Sequence, residues 1–110
     1  MTDTRANETS YPEFFMAGCH LNDFLFERLG NGSPEAGRKL FAQIAVRVMR
    51  AREKHPVFAR DKNQAREVIL EEIAELYQAI AYERRDRQID EALDVIATCC
   101  RFILGEHLEL

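Results

Sequence analysis

From Ala92 to Leu104 the chain reads ALDVIATCCRFIL, apolar around most of a helical circumference yet carrying an ionisable carboxylate, Asp94, inside the run. A helix apolar on nearly all sides is expected to be buried on nearly all sides. An ionised carboxylate in such a place is costly unless it is paired or holds a metal. At about 100° per residue, Glu91, Asp94, Thr98 and Arg101 share one polar stripe, with Ile89, Leu93, Ile96, Cys100 and Ile103 opposite. The preceding helical stretch carries Glu71-Glu72-Ile73-Ala74-Glu75. Its expected core stripe is Ala65, Ile69, Ile73, Leu76 and Ile80, with Glu72 at the border, Glu75 further round and Glu71 more outward. Helical residues three apart point in similar directions, with Cβ atoms about 5–6 Å apart. Glu72 with Glu75, and Glu91 with Asp94, therefore each make a two-pronged oxygen ligand. Facing each other across a helix hairpin, the two pairs form a pocket of hard, anionic oxygens, a donor set that suits Mg²⁺ and, through it, phosphate oxygens. A solvated acidic face would also match EExxE by accident; that alternative is weaker for ExxD inside an apolar helix.

EExxE, a short spacer and then ExxD resembles the signature of the MazG-like all-α nucleoside triphosphate pyrophosphohydrolases. That group is related to dimeric dUTPases, dCTP pyrophosphatases and phosphoribosyl-ATP pyrophosphohydrolase. The resemblance covers about residues 40–106 and rests on Glu71, Glu72, Glu75, Glu91 and Asp94. It implies an all-α, four-helix bundle-like fold completed by dimerisation, with Glu72, Glu75, Glu91 and Asp94 as metal ligands. It implies Mg²⁺, with Mn²⁺ as an alternative, and cleavage of a nucleoside triphosphate to the monophosphate and pyrophosphate. Glu71, or one of the four ligands, would orient or deprotonate the attacking water. A homodimer or dimer of dimers is the implied assembly. Phosphoribosyl-ATP is the alternative substrate, and a non-catalytic helical module binding a cation or a basic partner segment is the alternative of another class.

Composition sets the remaining bounds. A chain of 110 residues is one domain whose modest core can need a partner subunit. Net charge is −4, from 15 basic and 19 acidic side chains; setting the five motif carboxylates aside leaves 14 acidic residues. The acidity therefore resides in the motif, where a metal inverts its sign toward a polyphosphate. Duplex nucleic acid, whose binding rests on phosphate neutralisation, is not an expected partner. No apolar run approaches the roughly 20 residues that span a membrane, and the first ten residues contain no apolar export signal. Three cysteines, with Cys99 and Cys100 adjacent in a helix, point to reduced thiols and a cytoplasmic location.

Along the chain, residues 1–10 are expected to form a flexible tail and 11–110 one helical domain. A first helix, or two short ones, is expected over 11–29, rich in Phe14, Phe15, Cys19, Leu21, Phe24 and Phe26. That cluster suits core packing or a subunit interface better than base stacking. Gly30-Asn31-Gly32 breaks it, and Ser33-Pro34 supplies an N-cap and a proline at the first helical position of the next helix, which runs to about Lys54. Phe41, Gln43 and Ile44 on that helix are candidate nucleobase-pocket residues. His55-Pro56 ends it. The motif helices are expected at 62–84 and 88–105, joined by a turn at Arg84–Arg87 and stopped at Gly105. His20, His55 and His107 form no Glu-x-x-His pair of the di-iron bundle type, and no glycine-rich phosphate loop is present. Arg84, Arg85 and Arg87 are expected to be solvated or paired with Asp86 and Asp90. Arg101 shares the Glu91–Asp94 stripe and is the candidate substrate-binding residue, its alternative being a salt bridge within that stripe.

Overall fold

A computed structural model describes residues 23–107. The expected 1–10 tail and the first part of the 11–29 helix, with Phe14, Phe15, Cys19, His20 and Leu21, lie outside the described residues. Four helices follow in order: α1, described over 23–29; α2, Pro34–Lys54; α3, Lys62–Tyr82; and α4, Arg85–Ile103. Among the described residues there is no strand. The described residues fall into two units, 23–42 and 43–107, that part inside α2.

In the first unit, α1 closes through bonds donated by Gly30 N–H to the Phe26 carbonyl and Gly32 N–H to the Glu27 carbonyl, each 2.8 Å. Gly32 takes a left-handed φ of 96° beside Asn31 at 54°, conformations that glycine and asparagine adopt most cheaply. The Ser33 hydroxyl accepts from Ala36 N–H at 3.1 Å, capping α2 as the Ser-Pro pair implies. Gly37 is a steric requirement: a Cβ there would lie 1.8 Å from the Phe26 carbonyl oxygen.

The second unit positions the candidate site. The loop after α2 tucks Phe58 and Ala59 against Ala65 and Val68 of α3, and Asp61 caps α3 by accepting from Gln64 N–H at 2.8 Å. The link between α3 and α4 is shorter than the sequence suggests. The charged run at Arg84–Arg87, expected to be a turn, instead opens α4. Gln88 donates to the Glu83 carbonyl at 3.0 Å and Arg87 to the Glu83 carboxylate at 3.2 Å. Asp86 adds a negative charge to the first turn, where the helix dipole favours it.

α3 packs on α4, and the contacting stripes differ from those read off the wheels. The buried residues are Ala65 and Ala79 on α3 and Leu93, Ala97 and Arg101 on α4. Ile73 and Ile80, expected in the core, are 44% and 60% exposed, as are Ile89 at 40% and Ile103 at 78%. α3 is turned so that its small residues meet the neighbour, which carries the half-buried Glu72 into the contact face. Among the described residues no large side chain is fully buried.

α4 ends in a Schellman turn. Gly105 sits at φ 77°; its N–H bonds the Phe102 carbonyl and Glu106 N–H bonds the Arg101 carbonyl, each at 3.0 Å. Gly105→Ala should therefore destabilise the protein by about 1–2 kcal/mol, read by urea denaturation, with Gly105→Asn losing less.

Candidate metal centre

The α3–α4 contact brings Glu72, Glu91 and Asp94 together. Each offers one carboxylate oxygen, and the three oxygens lie within 4.8 Å of one another. All three residues are half-buried. Glu75, on the same flank of α3, lies outside this group of three yet is close enough for its charge to act on both Glu72 and Glu91. Glu71 lines the adjoining cavity with Glu72 and Asp94.

Arginines hold the second helix's carboxylates from behind. Arg87, one turn before Glu91, donates to Glu91 Oε2 at 2.7 Å. Arg47 of α2 donates to Asp94 Oδ1 at 3.0 Å, to Asp90 Oδ1 at 2.5 Å and to the Asp90 carbonyl at 3.0 Å. Glu91 and Asp94 thus each have one oxygen fixed by a guanidinium, the arrangement that orients ligands around metals. The other oxygen of Glu91, Oε1, is buried without a hydrogen-bond partner. A buried carboxylate oxygen left bare beside two more carboxylates fits a hard divalent cation such as Mg²⁺ or Mn²⁺.

The electrostatics carry the same mark. Burial, then the charges of Glu75, Asp94, Glu91 and Glu71, push the Glu72 carboxyl up to about 7. Glu91 is also raised, by burial and by Glu75 and Asp94, against the opposing pull of Arg87. Such clustering of like charges around a half-buried acid is common at functional sites.

Beside the carboxylates opens a cavity of about 620 Å³, with an acidic wall of Glu71, Glu72 and Asp94 and a basic wall of Arg47, Arg50, Lys54 and His55. Gln64, Phe58 and Thr98 also line it. The basic wall was not singled out from the sequence, although Arg47, Arg50 and Lys54 recur at three- and four-residue spacing on one face of α2. Gln43 and Ile44, suggested for a base pocket, are not among its described lining residues, and Phe41 belongs to the first unit.

Arg101 lines the same cavity but is 3% exposed and spends its donors elsewhere. Nε bonds Glu106 at 2.6 Å, Nη1 the Ala51 carbonyl at 3.2 Å and Nη2 the Pro56 carbonyl at 3.4 Å, with the guanidinium 5.4 Å from the Phe58 ring centre. Glu106 also accepts from Arg52, and both arginines hold its carboxyl below the usual range. Arg101 thus joins the end of α4 to the loop after α2, and its ion pair is with Glu106 rather than within the Glu91–Asp94 stripe. Of the loop arginines, Arg84 pairs with Asp86. Cys99 and Cys100 are free thiols, and no helix among the described residues is long and apolar enough to cross a membrane.

Compared with protein-family models, curated proteins and solved structures, the chain matches none of them.

The raised Glu72 carboxyl sets a pH dependence for the metal-free protein. Its folded value of about 7 lies above the usual 4.5, so between these values the folded state holds a proton that the unfolded chain releases. That contribution is complete below the lower value and is lost as pH rises through about 7. In EDTA, wild type should melt lower at pH 8 than at pH 5. Glu72→Gln should melt above wild type at pH 8 and show a smaller pH difference. Equal pH responses of the two proteins would show that Glu72 is an ordinary solvated carboxylate.

Proposed function

We propose that this chain is a divalent-metal-dependent nucleotide pyrophosphohydrolase, with a nucleoside or deoxynucleoside triphosphate as substrate. One observation carries the reading: of three convergent carboxylates, Glu72 and Asp94 open on a cavity lined also by Arg47, Arg50 and Lys54. A cation site facing a set of fixed positive charges suits a polyphosphate, whose oxygens need neutralising on both sides. The EExxE…ExxD resemblance supports the same chemistry.

Glu72, Glu91 and Asp94 would hold the ion, with Glu75 adjacent. Bound Mg²⁺ or Mn²⁺ supplies Lewis-acid neutralisation of phosphate oxygens. Arg50 and Lys54 bind the outer phosphates from α2, and Arg47 both steadies Asp94 and faces the cavity. Glu71, at the cavity edge, accepts the proton of the attacking water. The water oxygen forms a bond to the α phosphorus as the bond to the bridging oxygen breaks. The electron pair leaves with pyrophosphate, and the nucleoside monophosphate remains.

A pyrophosphate-release assay over the ribo- and deoxynucleoside triphosphates and phosphoribosyl-ATP, with Mg²⁺ and with EDTA, tests the proposal. Mg²⁺-dependent release from at least one nucleotide is expected, abolished by Glu72→Gln and by Asp94→Asn. Arg87→Ala, which acts through Glu91, should weaken Mg²⁺ affinity or activity about 10–100-fold. Stabilisation by Mg²⁺ with no release from any nucleotide would instead favour the cation-binding module.

A further inference from the structure

Asp90 stands beside the carboxylate cluster without belonging to it. It is not one of the three residues whose oxygens converge, and it is absent from the described lining of the cavity. Both of its oxygens are nevertheless engaged, each by a different guanidinium. Oδ1 accepts from Arg47 Nη2 at 2.5 Å, and Oδ2 lies 3.6 Å from Arg87 Nη1. The Asp90 carbonyl takes a further bond from Arg47 Nη1 at 3.0 Å. These are the same two arginines that reach the site. Arg47 Nη1 bonds Asp94 Oδ1 at 3.0 Å, and Arg87 Nη2 bonds Glu91 Oε2 at 2.7 Å. The helical repeat explains the arrangement: Asp90 lies one turn after Arg87 and one turn before Asp94, so the three share a face of α4. Arg47 reaches that face from α2.

We propose that Asp90 is a positioning residue of the candidate metal centre: it binds no cation itself and holds Arg47 and Arg87 behind Asp94 and Glu91. This rests on the reading of Glu72, Glu91 and Asp94 as cation ligands. The need for it follows from what an unrestrained guanidinium does beside a carboxylate. It closes a bidentate pair, fork against fork, and takes both oxygens. On Asp94 that would consume the oxygen a cation requires. Here Arg47 bonds Asp94 through Nη1, while its other terminal nitrogen, Nη2, is committed to Asp90. Arg87 is divided in the same manner, with Nη1 toward Asp90, Nη2 on Glu91 and Nε on Glu83. The negative charge of Asp90 also offsets the two guanidiniums, so their charge is not spent wholly on the ligands. Asp90 therefore lets each arginine orient a ligand oxygen without neutralising the site.

Calorimetric titration of the metal-free full chain with Mn²⁺ tests this. Asp90→Ala should weaken Mn²⁺ binding about 10–100-fold, the loss typical of partners behind metal ligands. Asp86→Ala removes the same charge about one turn earlier, from an exposed residue paired with Arg84, and should leave affinity unchanged. Alanine is the better helix former, so Asp90→Ala should keep the helical circular dichroism; if it does not, Asp90→Asn takes its place. Arg47→Ala supplies a sign that a merely structural role would not give. Alone it should weaken Mn²⁺ binding, because Asp94 loses its orienting bond. Added to Asp90→Ala it should strengthen binding, because the guanidinium released to close on Asp94 is gone. An Asp90 variant that binds Mn²⁺ as wild type or Asp86→Ala does would overturn the proposal and leave the metal centre standing. Equal weakening by Arg47→Ala in both backgrounds would do the same. A wild type that takes up no Mn²⁺ would overturn the metal centre itself, and the role of Asp90 with it.

Discussion

The close approach of α3 to α4 is the constraint on which the site depends. Small side chains make it possible: Ala65 and Ala79 are fully buried on one helix, and Ala97 on the other beside Leu93. Short side chains at a contact bring helix axes toward the lower end of the usual 8–10 Å range. At that range carboxylates on the flanks of the two helices are forced together. The backbone position of Glu72 is set by the same rotation of α3 that buries Ala65 and Ala79. The apolar packing therefore holds like charges near one another, which the charges alone would never permit.

Two arginines make this arrangement tolerable. Arg87 and Arg47 each hold one oxygen of a site carboxylate, so repulsion is offset from behind and the remaining oxygens are aimed inward. Neither guanidinium closes the site, since Glu91 Oε1 stays bare. Arg101 and Glu106 perform a different task, fastening the end of α4 to the carbonyls of Ala51 and Pro56. A buried guanidinium serves this role because its fan of donors can satisfy several acceptors at once. The Schellman turn at Gly105 delivers Glu106 to that fastening, so a backbone conformation open to glycine supports an ion pair in the core.

The cavity gathers acids from α3 and α4 and bases from α2 and its following loop, with Arg47 bonded across to Asp94. Such a division suits a ligand that is itself an anion accompanied by a cation. It also places the selecting groups on different elements, coupled where Arg47 bonds Asp94. Leu70, Ile73, Tyr77 and Ile80 of α3 are exposed and stand outside the cavity lining. One amphipathic helix thus presents three distinct faces: an apolar one toward α4, an acidic flank toward the cavity, and a second apolar one toward solvent.

Local chemistry decided much of the chain before any packing was known. Ser33-Pro34, His55-Pro56, Asp61 and Gly105 mark helix ends because caps, proline sterics and left-handed glycine act within a few residues. Helical spacing likewise put Glu91 with Asp94, and Glu71, Glu72 and Glu75 on neighbouring turns, which made an acidic site legible. The rotation of each helix was not legible, because α3 is apolar on more than one face and its wheel admits several inward directions. Only tertiary packing chose the alanine face, leaving Ile73 and Ile80 outside and carrying Glu72 inward. Tertiary structure also decided that Arg101 is spent on Glu106 and that Arg47 reaches Asp94 from a residue 47 positions away. Spacing reports neighbours within one helix; which helices meet, and by which sides, depends on shape and volume that no single helix contains.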